Sequence, residues 1–238
     1  MTPTIVFDFD GTLALGDGPI AAFARAIAER TGDAAFPARA EAALAAFATG
    51  EAEYRDGYDA VTRVARAEGV SPEVIGAAYD ASRALLGSPD AAVTAPDELA
   101  AFLARVGAHA RLLLATNAPG DGVTAVLEEW GVAEVFDTLH FAVGKPDGLV
   151  PVLQDALARG PVLAVGDIVE FDLAPATQLG ADTALVGATA ARSTAAATMR
   201  GRTLADLYPQ IQAWAEAAAS TPVLSSSYQE SLPTERHN

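Results

Sequence analysis

Short apolar runs alternate with longer amphipathic stretches over most of the chain. Each run ends at a small or polar residue, a pattern typical of strands buried in a parallel sheet. The predicted strands span residues 5–7, 111–116, 138–143, 161–166 and 182–187. The amphipathic stretches predict helices over residues 96–106, 121–130, 149–159 and 172–179. This alternation predicts an α/β fold, with a mainly parallel sheet covered by helices on both faces.

A block of further helices interrupts the alternation directly after the first strand. Ala-rich or amphipathic stretches, separated by TGD, TG and GVSP breakers, predict helices over residues 19–30, 38–48, 53–67 and 72–86. The block is therefore a helical insertion within the sheet pattern. Toward the C-terminal end of the given sequence, the composition becomes rich in Ser, Thr and Pro. This composition predicts a disordered tail over residues 220–238.

Four of the predicted strands end at polar residues or lead into them. These residues are Asp8 and Asp10, Thr116 and Asn117, Lys145, and Asp167 with Asp172. Ligands of open parallel sheets bind at the carboxyl ends of the strands, so we expect these side chains to converge there. Each short motif alone is also typical of a turn or a helix cap. A calcium loop beginning at Asp8 is excluded because its twelfth position, Pro19, carries no acid.

Composition narrows the chemistry that these residues can perform. The chain of 238 residues has no cysteine, which excludes a thiolate nucleophile and leaves oxygen or histidine as metal ligands. Its formal net charge of −16 argues against nucleic-acid binding, and an anionic substrate would need a local positive centre. Lys145 is the only lysine among 15 basic residues, and its compact ammonium differs from the broad arginine fork. A surface lysine retained by chance is the alternative interpretation.

Asp8 and Asp10, the two acids that follow the first strand, are suited to phosphoryl transfer together with Asp167. Asp8 and Asp167 could bind a hard cation such as Mg²⁺, which prefers oxygen ligands. A metal-bound carboxylate that faces phosphorus can attack it, so Asp8 could form an aspartyl phosphate. Asp10 could protonate the leaving oxygen and afterwards take a proton from water. The groups suited to bind the phosphate oxygens are Lys145, Thr116 and backbone amides near Gly11 and Asn117.

These motifs, in this order, resemble those of the haloacid dehalogenase-like (HAD) hydrolase superfamily. DFDGT at residues 8–12 is similar to the first motif, Thr116 to the second, Lys145 to the third, and GDIVEFD at residues 166–172 to the fourth. The resemblance covers most of residues 1–219 and is specifically to the phosphatase branch with an inserted helical cap, as in phosphoglycolate phosphatase-like proteins. The fourth motif departs from the family pattern in its bulky residues, which are Ile168, Val169 and Phe171.

The resemblance implies a division of the chain, a metal and an activity. It implies a Rossmann-like catalytic core formed by residues 1–13 and 92–219, with a helical cap at residues 14–91. The expected activity is Mg²⁺-dependent hydrolysis of a small phosphate monoester through an aspartyl phosphate. The implied Mg²⁺ ligands are Asp8, Asp167 and the backbone carbonyl of Asp10, with Asp172 in support.

Other functions remain as alternatives. A sugar phosphomutase shares the core motifs and differs mainly in its cap. A dehalogenase-like hydrolase shares the cap type, but dehalogenases lack an acid at the position of Asp10. The phosphonate-cleaving branch is excluded because it needs a cap lysine, and residues 14–91 contain none. Outside the enzymes, the alternative is a non-catalytic phosphate-binding regulatory protein.

The sequence also predicts the kind of substrate and the location. We expect a small phosphorylated metabolite as the partner, and neither nucleic acid nor a membrane. Tyr54, Arg55 and Tyr58, near the start of a predicted cap helix, could contact the organic part of the substrate. The first residues lack the basic and long apolar regions of a secretory signal, so a cytoplasmic location is expected.

Overall fold

A six-stranded parallel sheet forms the centre of the computed structural model, which describes residues 1–220. Its strands are β1 (Thr4–Phe7), β2 (Arg111–Ala115), β3 (Thr138–His140), β4 (Val162–Gly166), β5 (Asp182–Leu185) and β6 (Met199–Arg200). They follow the order β3-β2-β1-β4-β5-β6, and every neighbouring pair is parallel. The predicted α/β, Rossmann-like fold is confirmed.

Helices surround this sheet and fill the long insertion after β1. In chain order, α1 to α9 span Gly18–Thr31, Phe36–Thr49, Gly57–Ala67, Pro72–Ala84, Leu99–Gly107, Gly120–Glu129, Leu149–Leu157, Ala174–Gln178 and Tyr208–Ser220. A π-helical turn at Val169–Leu173 leads into α8. Short 3₁₀ turns lie at Ala133–Val135 and Ala205–Leu207. No helix within residues 1–220 has the length and apolar character needed to cross a membrane.

Both faces of the sheet are buried around its central strands, which explains the apolar runs in β1, β2 and β4. Because side chains alternate along a strand, Ile5 and Phe7 of β1 pack on one face and Val6 on the other. Helices α5, α6 and α9 contribute to the cluster on the first face. Helices α7 and α8 contribute to the cluster on the second face. Because helices pack on both faces of the sheet, a site can form at the carboxyl ends of its strands.

Helices α1 to α4 form a separate helical unit with a hydrophobic cluster of its own, which includes Phe23, Ile27 and Val61. The chain enters and leaves this unit through adjacent segments. The backbone N–H groups of Leu15 and Thr94 each donate to the carbonyl of the other, both at 2.9 Å. The insertion is therefore joined to the sheet domain through two paired segments. The proposed division into core residues 1–13 and 92–219 and cap residues 14–91 stays a prediction.

Several element ends differ from the sequence prediction for local reasons. Helix α3 begins at Gly57 because the carboxylate of Asp56 caps it and accepts from the N–H of Asp59 at 2.6 Å. Strand β3 ends at His140, and two residues later the chain turns with a positive φ of 47° at Ala142. The helix predicted over residues 172–179 is replaced by the π-helical turn and the short α8.

The end of the described chain also differs from the prediction. The sequence pattern did not predict β6 or α9. Ser220, which was assigned to a disordered tail, is the last residue of α9, and its hydroxyl donates to the Glu216 carbonyl at 2.8 Å. The rest of that predicted tail lies outside the described residues.

Candidate active site

Polar residues from three neighbouring strands meet at the carboxyl edge of the sheet. Asp8 follows the central strand β1, while Thr116 and Asp167 follow the adjacent strands β2 and β4. The backbone N–H of Asp8 donates to the Val165 carbonyl at 2.9 Å, which extends the β1–β4 pairing to this residue. Parallel strands therefore bring residues that are far apart in sequence to one edge, as the strand pattern predicts.

Lys145 joins two carboxylates of this edge. Its Nζ lies 2.7 Å from Asp8 Oδ1 and 2.7 Å from Asp172 Oδ1, and its side chain is 3% exposed. The second oxygen of each carboxylate also accepts a hydrogen bond: Asp8 Oδ2 from the Thr12 hydroxyl at 3.1 Å, and Asp172 Oδ2 from the Ile168 N–H at 3.0 Å. The interpretation of Lys145 as a surface residue is therefore wrong, because the ammonium is buried between acids.

Burial and mutual charge shift the pKa values of this cluster. Burial raises the pKa of Asp172 to about 7, the charge of Asp8 adds to the rise, and Lys145 opposes it. Burial and the charge of Asp8 also raise the pKa of Asp167 well above its ordinary value. Burial lowers the pKa of Lys145, but the neighbouring carboxylates outweigh burial, and the pKa remains above its ordinary value. Lys145 is therefore a stable cation surrounded by an excess of acids.

Asp167 offers the free oxygen of a cation site. Its Oδ1 is buried and has no hydrogen-bond partner within residues 1–220. Carboxylate oxygens of Asp8, Asp167 and Asp172 lie within 4.8 Å of one another. Three acids share one ammonium here, and a hard divalent cation prefers oxygen ligands. These residues therefore fit an ion such as Mg²⁺, with Asp172 already engaged by Lys145 and Ile168.

The remaining predicted phosphate-binding residues shape the backbone around the acids. Gly11 has a φ of 79° and lies against Asp167. The buried Thr116 hydroxyl accepts from the Ala118 N–H at 3.0 Å. The side-chain oxygen of Asn117 accepts from the Lys145 N–H at 2.7 Å, so Asn117 positions the backbone of the lysine. Their predicted role in binding phosphate stays a prediction.

Asp10 contacts the helical insertion. Its Oδ1 lies 2.8 Å from Nη1 of Arg83 in α4, and the same nitrogen donates to the Tyr58 hydroxyl at 2.9 Å. The Arg83 side chain is 1% exposed and that of Asp10 is 33% exposed. Burial raises the pKa of Asp10 above its ordinary value, although the charge of Arg83 opposes the shift. Asp10 is therefore a partly exposed acid whose carboxylate is hydrogen-bonded to a residue of the helical insertion.

A cavity of about 380 Å³ lies between the sheet edge and the insertion. Its lining includes Asp10, Gly11 and Asp167 from the sheet edge and Ile20, Arg55 and Tyr58 from the insertion. The Arg55 guanidinium lies 4.4 Å from the ring centroid of Phe171, in the fourth motif. Tyr54 instead packs against Phe47 within the insertion, with ring centroids 6.2 Å apart. Of the three predicted cap contacts, two therefore reach the cavity.

The sequence reasoning missed Arg83, although a signal was present. Ile75, Ala78, Ser82 and Arg83 form the buried face of α4. An arginine within the apolar stripe of a helix indicates a buried partner, because a lone guanidinium is costly to desolvate. The partner could not be identified without the fold.

The family model described as haloacid dehalogenase-like hydrolase matches residues 2–180. This match agrees with the parallel sheet, the helical insertion and the acid cluster at the sheet edge. The chain belongs to the haloacid dehalogenase-like hydrolases. A comparison with curated protein sequences found no match.

Solved structures of this superfamily share the fold. YfnB from Bacillus subtilis in a magnesium-bound form is 17% identical, with a TM-score of 0.60 over 88% of this chain and 98% of that chain. A HAD phosphatase from Thermococcus onnurineus is 16% identical, with a TM-score of 0.59 over 88% of this chain and 97% of that chain. CbbY from Rhodobacter sphaeroides in complex with phosphate is 20% identical, with a TM-score of 0.59 over 87% of this chain and 96% of that chain.

Proposed function

We propose that this hydrolase is a Mg²⁺-dependent phosphatase, which cleaves a small phosphate monoester through an aspartyl phosphate on Asp8. The observation that carries the proposal is the pairing of two acids with different surroundings. Asp8 is fixed by Lys145 and Thr12, whereas Asp10, two residues later, lines the cavity. A fixed carboxylate beside a partly open acid is suited to nucleophilic attack with proton transfer.

The two acids divide the reaction between them. In the first step, an oxygen of Asp8 forms a bond to phosphorus while the bond from phosphorus to the ester oxygen breaks. Asp10 gives its proton to that leaving oxygen. In the second step, Asp10 takes a proton from water as the water oxygen attacks phosphorus, and the bond to Asp8 breaks. The products are an alcohol and inorganic phosphate.

A phosphate dianion needs additional positive charge to enter this acid cluster. Asp8, Asp167 and the backbone carbonyl of Asp10 would hold Mg²⁺, which when bound neutralises phosphate charge and favours attack at phosphorus. Lys145 would bind a phosphate oxygen beside Asp8, and Asp172 would keep the ammonium in place. The Oδ1 of Asp167, which has no hydrogen-bond partner among residues 1–220, supports this assignment of the metal, as does the magnesium-bound form of the similar YfnB.

The size and charge of the site favour a small metabolite as the substrate. A cavity of about 380 Å³ is near the lower end of the range for small-molecule sites. The insertion lies over the sheet edge and limits what can enter, and a net charge of −16 would repel polyanions such as nucleic acid. Arg55 and Tyr58 are the cap residues that we propose to contact the organic part of the substrate.

The proposal is tested by assaying the purified protein against a panel of phosphorylated metabolites. We expect Mg²⁺-dependent release of inorganic phosphate, which EDTA abolishes and added Mg²⁺ restores. Asp8→Asn should be inactive, whereas the matched control Asp155→Asn, at an acid whose side chain is 68% exposed, should retain activity.

Other outcomes of this assay would contradict the proposal. Isomerisation of a sugar phosphate without phosphate release would indicate a phosphomutase. Halide release from a haloacid would indicate a dehalogenase-like hydrolase. Phosphate binding without turnover of any ester would indicate a regulatory protein.

A further inference from the structure

Arg83 joins the helical insertion to Asp10 at the sheet edge. Its Nη1 donates both to Asp10 Oδ1 and to the Tyr58 hydroxyl, at 2.8 and 2.9 Å. The ion pair spans 73 residues of sequence, from helix α4 to the loop that follows β1. It therefore links two parts of the fold that the chain itself connects through the segments at Leu15 and Thr94.

Packing alone does not explain a guanidinium at this position. Nε and Nη2 of Arg83 are buried and have no hydrogen-bond partner in the described part of the chain, residues 1–220. Each unsatisfied buried donor costs about 1–3 kcal/mol, and an apolar side chain of similar volume would avoid that cost. The positive charge is used in the ion pair with Asp10. The reason for the arginine therefore lies in what it does to Asp10.

We propose that Arg83 is a positioning residue that orients Asp10 for proton transfer. This inference rests on the proposed phosphatase function. Because Arg83 donates to Oδ1, that oxygen remains the hydrogen-bond acceptor in both protonation states of Asp10. Oδ2 is then the oxygen that carries the proton, and Asp10 is one of the residues that line the cavity.

The same contact makes the orientation of Asp10 depend on the position of the cap. Arg83 and Tyr58 both belong to the insertion, and Tyr58 also lines the cavity. If the insertion moves away from the core, Asp10 loses its hydrogen-bond donor. Proton transfer is thereby coupled to a covered cavity, from which bulk water is excluded.

Arg83 itself transfers no proton. When the ester bond to phosphorus breaks, the Oδ2–H bond of Asp10 also breaks, and the proton joins the leaving oxygen. When water attacks the aspartyl phosphate, one water proton returns to Oδ2 and the bond between phosphorus and Asp8 breaks. Arg83 remains a cation and keeps its hydrogen bond to Oδ1 through both steps.

A double-mutant cycle tests this role. Arg83→Met, Asp10→Asn and the double variant are compared with wild type, and Arg66→Met, at an exposed arginine of α3, is the matched control. We expect Arg83→Met to lower kcat for an alkyl phosphate about tenfold to hundredfold, with little change in KM. In the Asp10→Asn background the same substitution should have almost no further effect. Arg83→Lys should recover part of the lost rate.

A second readout separates orientation of Asp10 from a general loss of structure. The leaving group of p-nitrophenyl phosphate departs without a proton, but hydrolysis of the aspartyl phosphate still needs Asp10 as base. Arg83→Met should therefore keep a fast burst of nitrophenolate and lose steady-state turnover. Melting temperatures are measured for every variant, and if Arg83→Met fails to fold, Arg83→Gln, which also removes the charge, takes its place in the cycle and in the burst assay.

Three results would overturn the role of Arg83 while leaving the proposed function intact. The first is wild-type turnover by the Arg83 variant. The second is an equal loss of kcat from the Arg83 substitution in the wild-type and Asp10→Asn backgrounds. The third is an equal loss of the burst rate and of the steady-state rate. Absence of turnover by the wild-type protein with every ester would instead overturn the proposed function, and this role with it.

Discussion

Gly11 and Asp167 lie so close together that residue 11 has room only for a hydrogen atom. A Cβ at Gly11 would lie 2.3 Å from Asp167 Oδ2, and the backbone there has a φ of 79°. The glycine of the first motif therefore allows the acid of the fourth motif to approach the loop that follows β1.

We predict that Gly11→Ala removes the response of the protein to Mg²⁺, because the methyl group must displace the Asp167 carboxylate. Gly32 is the matched control, since it also has a positive φ, of 74°, but the added Cβ would meet no other described residue within 4 Å apart from its chain neighbours. Gly32→Ala should cost only the backbone strain, about 1–2 kcal/mol. The measurement is urea unfolding with and without Mg²⁺. Equal Mg²⁺ responses in the two variants would show that the contact with Asp167 is unimportant.

Lys145 provides a prediction about charge and shape. Lys145→Arg keeps the charge, but the planar guanidinium is larger than the space between Asp8 and Asp172, where Nζ lies 2.7 Å from each. We expect the variant to lose most of its activity. Lys145→Met should in addition destabilise the protein by about 3–5 kcal/mol, because it leaves buried acids unpaired. Steady-state assays and urea unfolding measure both effects, and full activity in Lys145→Arg would contradict the proposed role.

Metal binding should be visible without any substrate. Mg²⁺ added at about 100 times its Kd should stabilise the wild-type protein by about 2.7 kcal/mol, because it binds only the folded acid cluster. Asp167→Asn should show no such stabilisation, since it removes a ligand charge. The control Asp155→Asn should respond as wild type does. Thermal unfolding with and without Mg²⁺ measures this stabilisation. A stabilisation of Asp167→Asn equal to that of wild type would exclude Asp167 as a ligand.

The sequence predicted the sheet well because its strands carry their own signal. Both faces of β1, β2 and β4 are covered, so these strands are apolar from their second residue onward, and their ends mark the site. β6 has only two residues, Met199–Arg200, and such a short strand shows no periodicity. Its place in the sheet depends on pairing with β5, which local sequence does not encode.

The site was predictable where a residue follows a strand and was not predictable where a residue comes from the insertion. Asp8, Asp167 and Thr116 are placed by the strands themselves. The contact of Arg83 with Asp10 and that of Arg55 with Phe171 depend on how the insertion packs on the core. Tyr54 lies next to Arg55 in sequence, but it packs against Phe47. Sequence proximity to a site residue therefore did not decide which cap side chains reach the cavity.

The contact between Arg55 and Phe171 should affect substrate retention. The guanidinium lies 4.4 Å from the ring centroid and joins the insertion to the π-helical turn after β4. A cation–π contact at a partly exposed site contributes about 0.5–1 kcal/mol, so Phe171→Leu should raise KM about twofold to fivefold with little change in kcat. Arg55→Met should have a larger effect if Arg55 also contacts the substrate. A double-mutant cycle on KM measures the coupling, and strictly additive effects would exclude it.

During turnover, Asp8 should carry the phosphoryl group. The most direct measurement is an acid quench of the protein during turnover of a phosphate ester with Mg²⁺, followed by mass spectrometry of its peptides. We predict a phosphoryl group on the peptide that contains Asp8, present in wild type, absent in Asp8→Asn and lost after treatment with hydroxylamine. Active turnover with no phosphorylated peptide, or with the phosphoryl group on another residue, would show that Asp8 is not the nucleophile.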